Sequence, residues 1–164
     1  MIFNETYPHL CRFLQTIVGR HHQVQDIAQE SFVRLCRAEF GEIPPAEIRF
    51  WLFRVARNLA LNEMDKANTR SKLWRRAAVV FRVRERSVAE TLELHEQHNA
   101  VRGLLGRLPE NQRSALLLRE QDEMSYREIA LVLGITESKV KIDIFRARCR
   151  LRDLWNERRE ISGC

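Results

Sequence analysis

The stretch "SYREIALVLGITESKVKIDIFRARCRL", Ser125 to Leu151, decides the fold. Ser125 followed three residues later by Glu128 makes a capping box: the serine hydroxyl covers an orphan amide and the glutamate reaches back. Ile129, Ala130 and Leu133 fall on one side of a short helix, and Gly134 supplies the left-handed residue that ends it. After a short turn, Val140, Ile144, Ala147 and Leu151 repeat at helical spacing as the buried stripe of a longer helix. A short capped helix, a glycine turn and a longer basic helix predict a helix-turn-helix.

At about 100° per residue, Ser138, Lys139, Ile142, Phe145, Arg146 and Cys149 face away from that stripe, flanked by Lys141, Arg148 and Arg150. Cations on such a face neutralise phosphates, while Ser138, Lys139, Ile142 and Arg146 can reach base edges in a major groove. An amphipathic helix with a merely solvated outside has the same pattern. The capping box, the glycine and the basic outer face together favour DNA over that reading. Asp143 counts against it, because a carboxylate near phosphate is repelled.

Outward from this unit the chain stays helical. Tyr7, Leu10, Phe13, Leu14 and Ile17 predict a helix from about Phe3 to Val18. Val24, Ile27, Ala28, Ser31 and Leu35 predict a second, and the two prolines of "FGEIPP" end it. A third restarts near Ala46 and runs to about Lys66, containing "RFWLFRVARNLALN", Arg49 to Asn62. On a wheel, Leu52, Phe53, Val55, Ala56, Leu59 and Ala60 form its apolar stripe. Phe50, Trp51, Arg54, Arg57, Asn58 and Asn62 share the remaining arc. Periodicity returns at Ala89 with Leu92, Leu94, Val101, Leu104, Leu105 and Leu108. The expected class is all-α, two small helical domains joined by a basic linker, with the helix-turn-helix at the C-terminal end.

The formal charge of +6 is concentrated rather than spread. Residues 1–65 are net −1, residues 66–86 net +7 and residues 87–164 neutral. Such a block suits a solvated linker and also favours a polyanion. Residues 67–86 fit either an extension of the third helix or a basic connector.

Other classes find little support. Cys11, Cys36, Cys149 and Cys164 form no CxxC pair, and "MIFNETYPHL" lacks a signal-peptide layout, which predicts reduced thiols and a cytoplasmic chain. His21, His22, His95 and His98 do not combine with cysteine at metal-ligand spacing, so no metal and no cofactor are expected. No Gly-rich phosphate loop or nucleophile signature points to an enzyme.

Three segments, "VQDIAQESFVRL", "RFWLFRVARNLALN" and "LPENQRSALLLREQDEMSYREIALVLGITESKVKIDIFRARCRL", resemble in order and spacing the bacterial extracytoplasmic-function sigma factors. These are two-domain promoter-specificity subunits of RNA polymerase. The resemblance runs from about Phe3 to Leu154. It implies a region 2-like domain at 1–68, a linker at 69–88 and a region 4-like domain at 89–160. It implies that Asp26, Gln29, Glu30 and Arg34 contact core RNA polymerase. Phe40, Phe50, Trp51, Arg54, Arg57, Asn58 and Asn62 match the part that captures the melted −10 strand. Ser138, Lys139, Lys141, Ile142, Arg146 and Arg148 match the −35 reader. An anti-sigma factor is the further implied partner, beside polymerase and promoter DNA.

The aromatics suit that work physically. Melting costs on the order of 1.4 kcal/mol per base-pair step, and stacking on an aromatic ring returns roughly 1–3 kcal/mol per base. Trp51 fits either this role or packing against the second helix. Four departures from the family pattern stand out. The chain begins almost at the first matching helix, the connector is basic, and Ile142-Asp143 replaces a common Ser-Arg. The chain also ends soon after its last helix, with the expectation of no appended sensory domain. The competing reading is a stand-alone helix-turn-helix regulator that binds duplex DNA without polymerase.

Overall fold

The apolar stripes read from the sequence become helix–helix seams in the computed structural model, which describes residues 2–18, 21–38, 47–77 and 100–162. Its helices are α1 (Ile2–Val18), α2 (His21–Arg37), α3 (Ile48–Ala77), α4 (100–106), α5 (Glu110–Glu120), α6 (Tyr126–Leu133) and α7 (Glu137–Ser162). The described residues contain no strand, as the all-α reading expects.

In the N-terminal part, Leu10, Phe13, Leu14 and Ile17 of α1 are buried with Val24, Ile27 and Ala28 of α2 and Phe53, Ala56 and Ala60 of α3. The Phe13 and Phe53 rings lie 5.5 Å apart in a tilted pair. Each side chain of this size contributes roughly 1.5–3 kcal/mol when fully buried. Ser31 sits on the same stripe at 0% exposure, and its hydroxyl donates to the Ile27 carbonyl at 2.7 Å. A buried hydroxyl satisfied in this way leaves no orphan donor.

In the C-terminal part the cap forms as read. The Glu128 amide donates to Ser125 Oγ at 3.3 Å, and the Ser125 amide donates to Glu128 Oε2 at 2.6 Å. Gly134 takes φ 66°, and its amide donates to the Ala130 carbonyl at 2.9 Å. Leu118, Ile129, Val132, Val140, Ile144 and Ala147 from α5, α6 and α7 meet beneath this turn.

Two features go beyond the sequence reading. Helix α3 continues to Ala77, realising part of the extension that residues 67–86 left open, so the 68/69 boundary drawn from sequence falls inside it. Nothing between Lys66 and Ala77 is a Gly or Pro, and Lys66 donates to Glu63 at 2.8 Å along the helix. The second feature is the contact between the two helical domains. Helix α3 packs on α6 and α1 on α5, so one buried cluster runs from Leu10 and Phe53 through Leu117 and Met124 to Ile129 and Val140. The loop bearing Phe40, the remainder of the basic linker and the start of the C-terminal part at Leu92 and Leu94 lie outside the described residues.

Candidate polymerase and nucleic-acid interfaces

Helix α2 turns its apolar stripe inward, which leaves Asp26 and Gln29 exposed beside Glu30 and Arg34. Arg34 Nε donates to Glu30 Oε1 at 2.8 Å, one turn apart. Between α2 and α3 lies a shallow groove of about 250 Å³, lined by Gln23, Asp26, Ile27, Glu30, Leu59 and Glu63. An apolar floor with an acidic rim suits a partner that brings both apolar and basic side chains.

On α3 the predicted arc divides. Arg54, Asn58 and Asn62 are exposed. Phe50 is half-buried against the main core, and Trp51 is half-buried against Leu35, Ile48 and Leu52. Of the two roles open to Trp51, packing is therefore realised, with part of the ring surface still free.

Arg57, on the same arc, is covered instead of exposed. Its side chain is only 8% exposed. Nε donates to Glu110 Oε1 at 2.9 Å, and Nη2 donates to Glu110 Oε2 and, at 2.6 Å, to Asn111 Oδ1. The Ser114 hydroxyl donates to the same carboxylate. The wheel correctly placed Arg57 away from its own helix's stripe. That side is covered by α5, which a single-helix projection cannot include.

A second polar contact joins the domains nearby. Asp122 is buried and lies 3.0 Å from His9 Nδ1, with Arg49 Nη2 at 3.8 Å. Burial pushes the Asp122 carboxyl above the usual carboxylate range, while His9, Arg49 and Arg12 pull it back. These groups border a cavity of about 410 Å³ that Glu5, Thr6, Gln121 and Glu123 complete.

Helix α7 brings another correction. Asp143 is 1% exposed and accepts from Lys139 Nζ at 2.5 Å, so its carboxylate does not stand against phosphate as the sequence suggested. Lys139 is correspondingly engaged. Lys141 lies over the Tyr126 ring at 5.4 Å, and Arg148 donates to Glu120 at 2.6 Å. That bond raises the Arg148 pKa further. Ser138, Ile142 and Arg146 are exposed, and no ion pair engages Arg146 among the described residues. Phe145 was absent from the expected readers, yet at 68% it is strongly exposed. Its place on the outer arc, three residues from Ile142, was the available signal.

Cys11, Cys36 and Cys149 are free thiols, and burial raises the Cys11 thiol. Among the described residues no three His, Cys, Asp or Glu side chains converge as a metal site. No described helix is long and apolar enough to cross a membrane.

Comparison with known proteins matches both halves. Residues 2–70 fit the family model for Sigma-70 region 2, and residues 98–151 fit that for Sigma-70 region 4. The chain is 30% identical over 157 residues to the ECF RNA polymerase sigma factor SigM of Bacillus subtilis, covering 95% of this chain and 91% of the relative. It is 34% identical over 133 residues to the ECF RNA polymerase sigma-E factor of Escherichia coli, covering 76% and 70%. Among solved structures, the sigma factor RpoE in complex with the anti-sigma factor NepR from Bartonella quintana superposes with a TM-score of 0.69 at 22% identity, covering 94% of both chains. CnrH in complex with the cytosolic domain of CnrY gives 0.69 at 23% identity, covering 95% and 86%. At these identities the two structures speak for the fold.

Proposed function

The chain belongs to the sigma-70 family as an extracytoplasmic-function sigma factor directing promoter-specific transcription, and we propose how its surfaces divide that work. The α2–α3 groove with Asp26, Gln29, Glu30 and Arg34 holds core RNA polymerase. The exposed residues of α3, Arg54, Asn58 and Asn62, meet the melted −10 strand, with the free side of Trp51 and Phe50 as stacking surface. Phe40, outside the described residues, is assigned to strand capture by the family resemblance alone. Helix α7 enters the major groove at −35. The work is binding and strand capture without bond chemistry of its own, carried out in the cytoplasm beside polymerase.

One observation carries this division: Asp26 and Gln29 on α2, Arg54, Asn58 and Asn62 on α3, and Ser138, Ile142 and Arg146 on α7 are exposed, while the apolar stripes beneath them are buried. Arg57 joins the strand contacts only if α5 moves away. The −10 and −35 elements lie about 25 base pairs apart, on the order of 85 Å at 3.4 Å per pair. With Arg57 bonded to Glu110, α3 and the helix-turn-helix are in direct contact, so the packed arrangement cannot read both elements together. Engagement of polymerase therefore parts the two domains.

An anti-sigma factor is the further proposed partner. RpoE, which shares the fold, was solved with the anti-sigma factor NepR, and CnrH with the cytosolic domain of CnrY. The stand-alone regulator reading leaves the region 2 match over residues 2–70 without a purpose. Run-off transcription by core polymerase with and without the purified chain tests the reading. Promoter-directed transcripts that depend on the chain support it, and absence of binding to core removes it.

A further inference from the structure

Helix α7 carries an apolar pair where a charged or hydroxyl reader is the usual solution to base recognition. Ile142 is 45% exposed and Phe145 68% exposed. Three residues apart on a helix, they stand on one face. Neither belongs to the buried clusters. Leaving two large apolar side chains in water is unfavourable, so the face gains most from a partner that offers apolar atoms.

The surroundings specify that partner. Arg146 and Arg150 border the pair without an ion-pair partner among the described residues, and Lys141 stands beside it on the helix. Those charges fit a polyanion that approaches from the same side. Lys139, which would otherwise compete for a guanine edge, is held by the buried Asp143 carboxylate. Tethering at 2.5 Å to a carboxylate that is 1% exposed restricts where the Lys139 amine can point, although the lysine side chain itself is 45% exposed. Hydrogen-bond reading is thus weakened at Lys139, while apolar contact is offered one turn away. Duplex DNA presents one apolar group in its major groove, the C5 methyl of thymine.

We propose that Ile142 and Phe145 read thymine methyl groups in the −35 element, with the Lys139–Asp143 pair keeping Lys139 out of the base code. The proposal rests on α7 being the −35 reader and specifies the chemistry it reads. Ile142 and Phe145 act as specificity-determining residues, and Arg146 and Arg150 supply phosphate contacts indifferent to sequence.

The test uses holoenzyme assembled from core polymerase and the full chain. Duplexes are selected from a promoter pool randomised at the −35 and −10 segments. The selected duplex is then remade with uracil replacing each −35 thymine in turn, which removes only the methyl. Binding should weaken about fourfold at each contacted position, the equivalent of about 0.8 kcal/mol for one methyl-sized group removed from water. Ile142→Ser and Phe145→Ala should each bring that ratio toward one at their own position while retaining core binding.

A selected −35 sequence that tolerates uracil everywhere overturns the proposal and leaves the −35 role of α7 intact. A pool that shows no −35 preference at all overturns both. Uracil tolerance accompanied by loss of self-association, or of binding to an acidic amphipathic peptide, in the Ile142→Ser, Phe145→Ala double variant would make the pair a protein-docking face, which also overturns it.

Discussion

Arg57 of α3 and Glu110 of α5 form a buried ion pair between the two helical domains, 53 residues apart in sequence. Asn111 accepts from the same guanidinium, and Ser114 donates to the same carboxylate. An arginine on the arc facing the proposed −10 strand is thus saturated by the domain that carries the −35 reader. Removing either partner strands a charge in a poorly hydrated seam, for which roughly 3 kcal/mol is the expected cost. Glu110→Ala should therefore weaken the domain contact by about that amount. Arg57→Ala on top of it should cost little more, because the pair acts as a unit. Urea unfolding of the double-mutant cycle measures the coupling, and inter-domain fluorescence transfer reports whether the domains separate before they unfold.

The pair inside α7 predicts a division between stability and specificity. Lys139→Ala leaves the Asp143 carboxylate buried without its cation and should lower stability by about 2 kcal/mol. Ile142→Ser touches an exposed side chain and should change stability by less than about 0.5 kcal/mol. Thermal unfolding of the two variants makes the comparison, and equal losses would contradict the placement of Asp143.

Asp122 gives a pH signature. Its folded-state pKa is raised, chiefly by burial, so between the unfolded and folded values the native state holds more protons than the unfolded one. Stability through this group therefore rises as pH falls through the carboxylate range, and is lost as pH climbs above the folded value. Asp122→Asn should remove that component and, at neutral pH, alter stability by no more than about 1 kcal/mol. Denaturant titrations from pH 7 down to pH 4 check both statements. A large neutral-pH loss in Asp122→Asn would mean that His9 and Arg49 outweigh the desolvation.

On the exposed arc of α3, Arg54→Ala and Asn58→Ala should leave folding intact and slow open-complex formation roughly tenfold each, the effect of losing about 1.4 kcal/mol of strand contact. Permanganate footprinting of the melted region reads the outcome. Trp51→Ala should fail on both counts, because its ring packs on Leu35, Ile48 and Leu52 while keeping a free side.

Local chemistry explains which of these features could be read in advance. The Ser125–Glu128 cap, the Gly134 turn and the buried stripe of α2 depend on neighbours within one or two turns, and all are legible as spacing. The outward direction of Arg54, Asn58, Ile142 and Arg146 follows from the same periodicity. The burial of Arg57 beneath α5 was not legible in the sequence. A wheel reports direction about one axis, whereas burial depends on whichever helix arrives from elsewhere; Asp143, three residues from Val140 and four from Ala147, flanks the buried stripe of α7 itself. The shared core joining Phe53 to Met124 was hidden similarly, because apolar residues facing one another across domains look the same as residues facing their own domain. The extension of α3 to Ala77 was open in the sequence, where a helix and a basic connector have the same composition.

Every role proposed for α3 and α7 depends on α2 holding core polymerase. Binding of the purified chain to core RNA polymerase, followed by run-off transcription from a selected promoter, should succeed with the natural chain. It should fall at least tenfold in both assays when Asp26 and Glu30, at the rim of the α2–α3 groove, are changed to arginine. Undiminished core binding by Asp26→Arg, Glu30→Arg, in a variant that folds normally, would contradict the assignment of that groove.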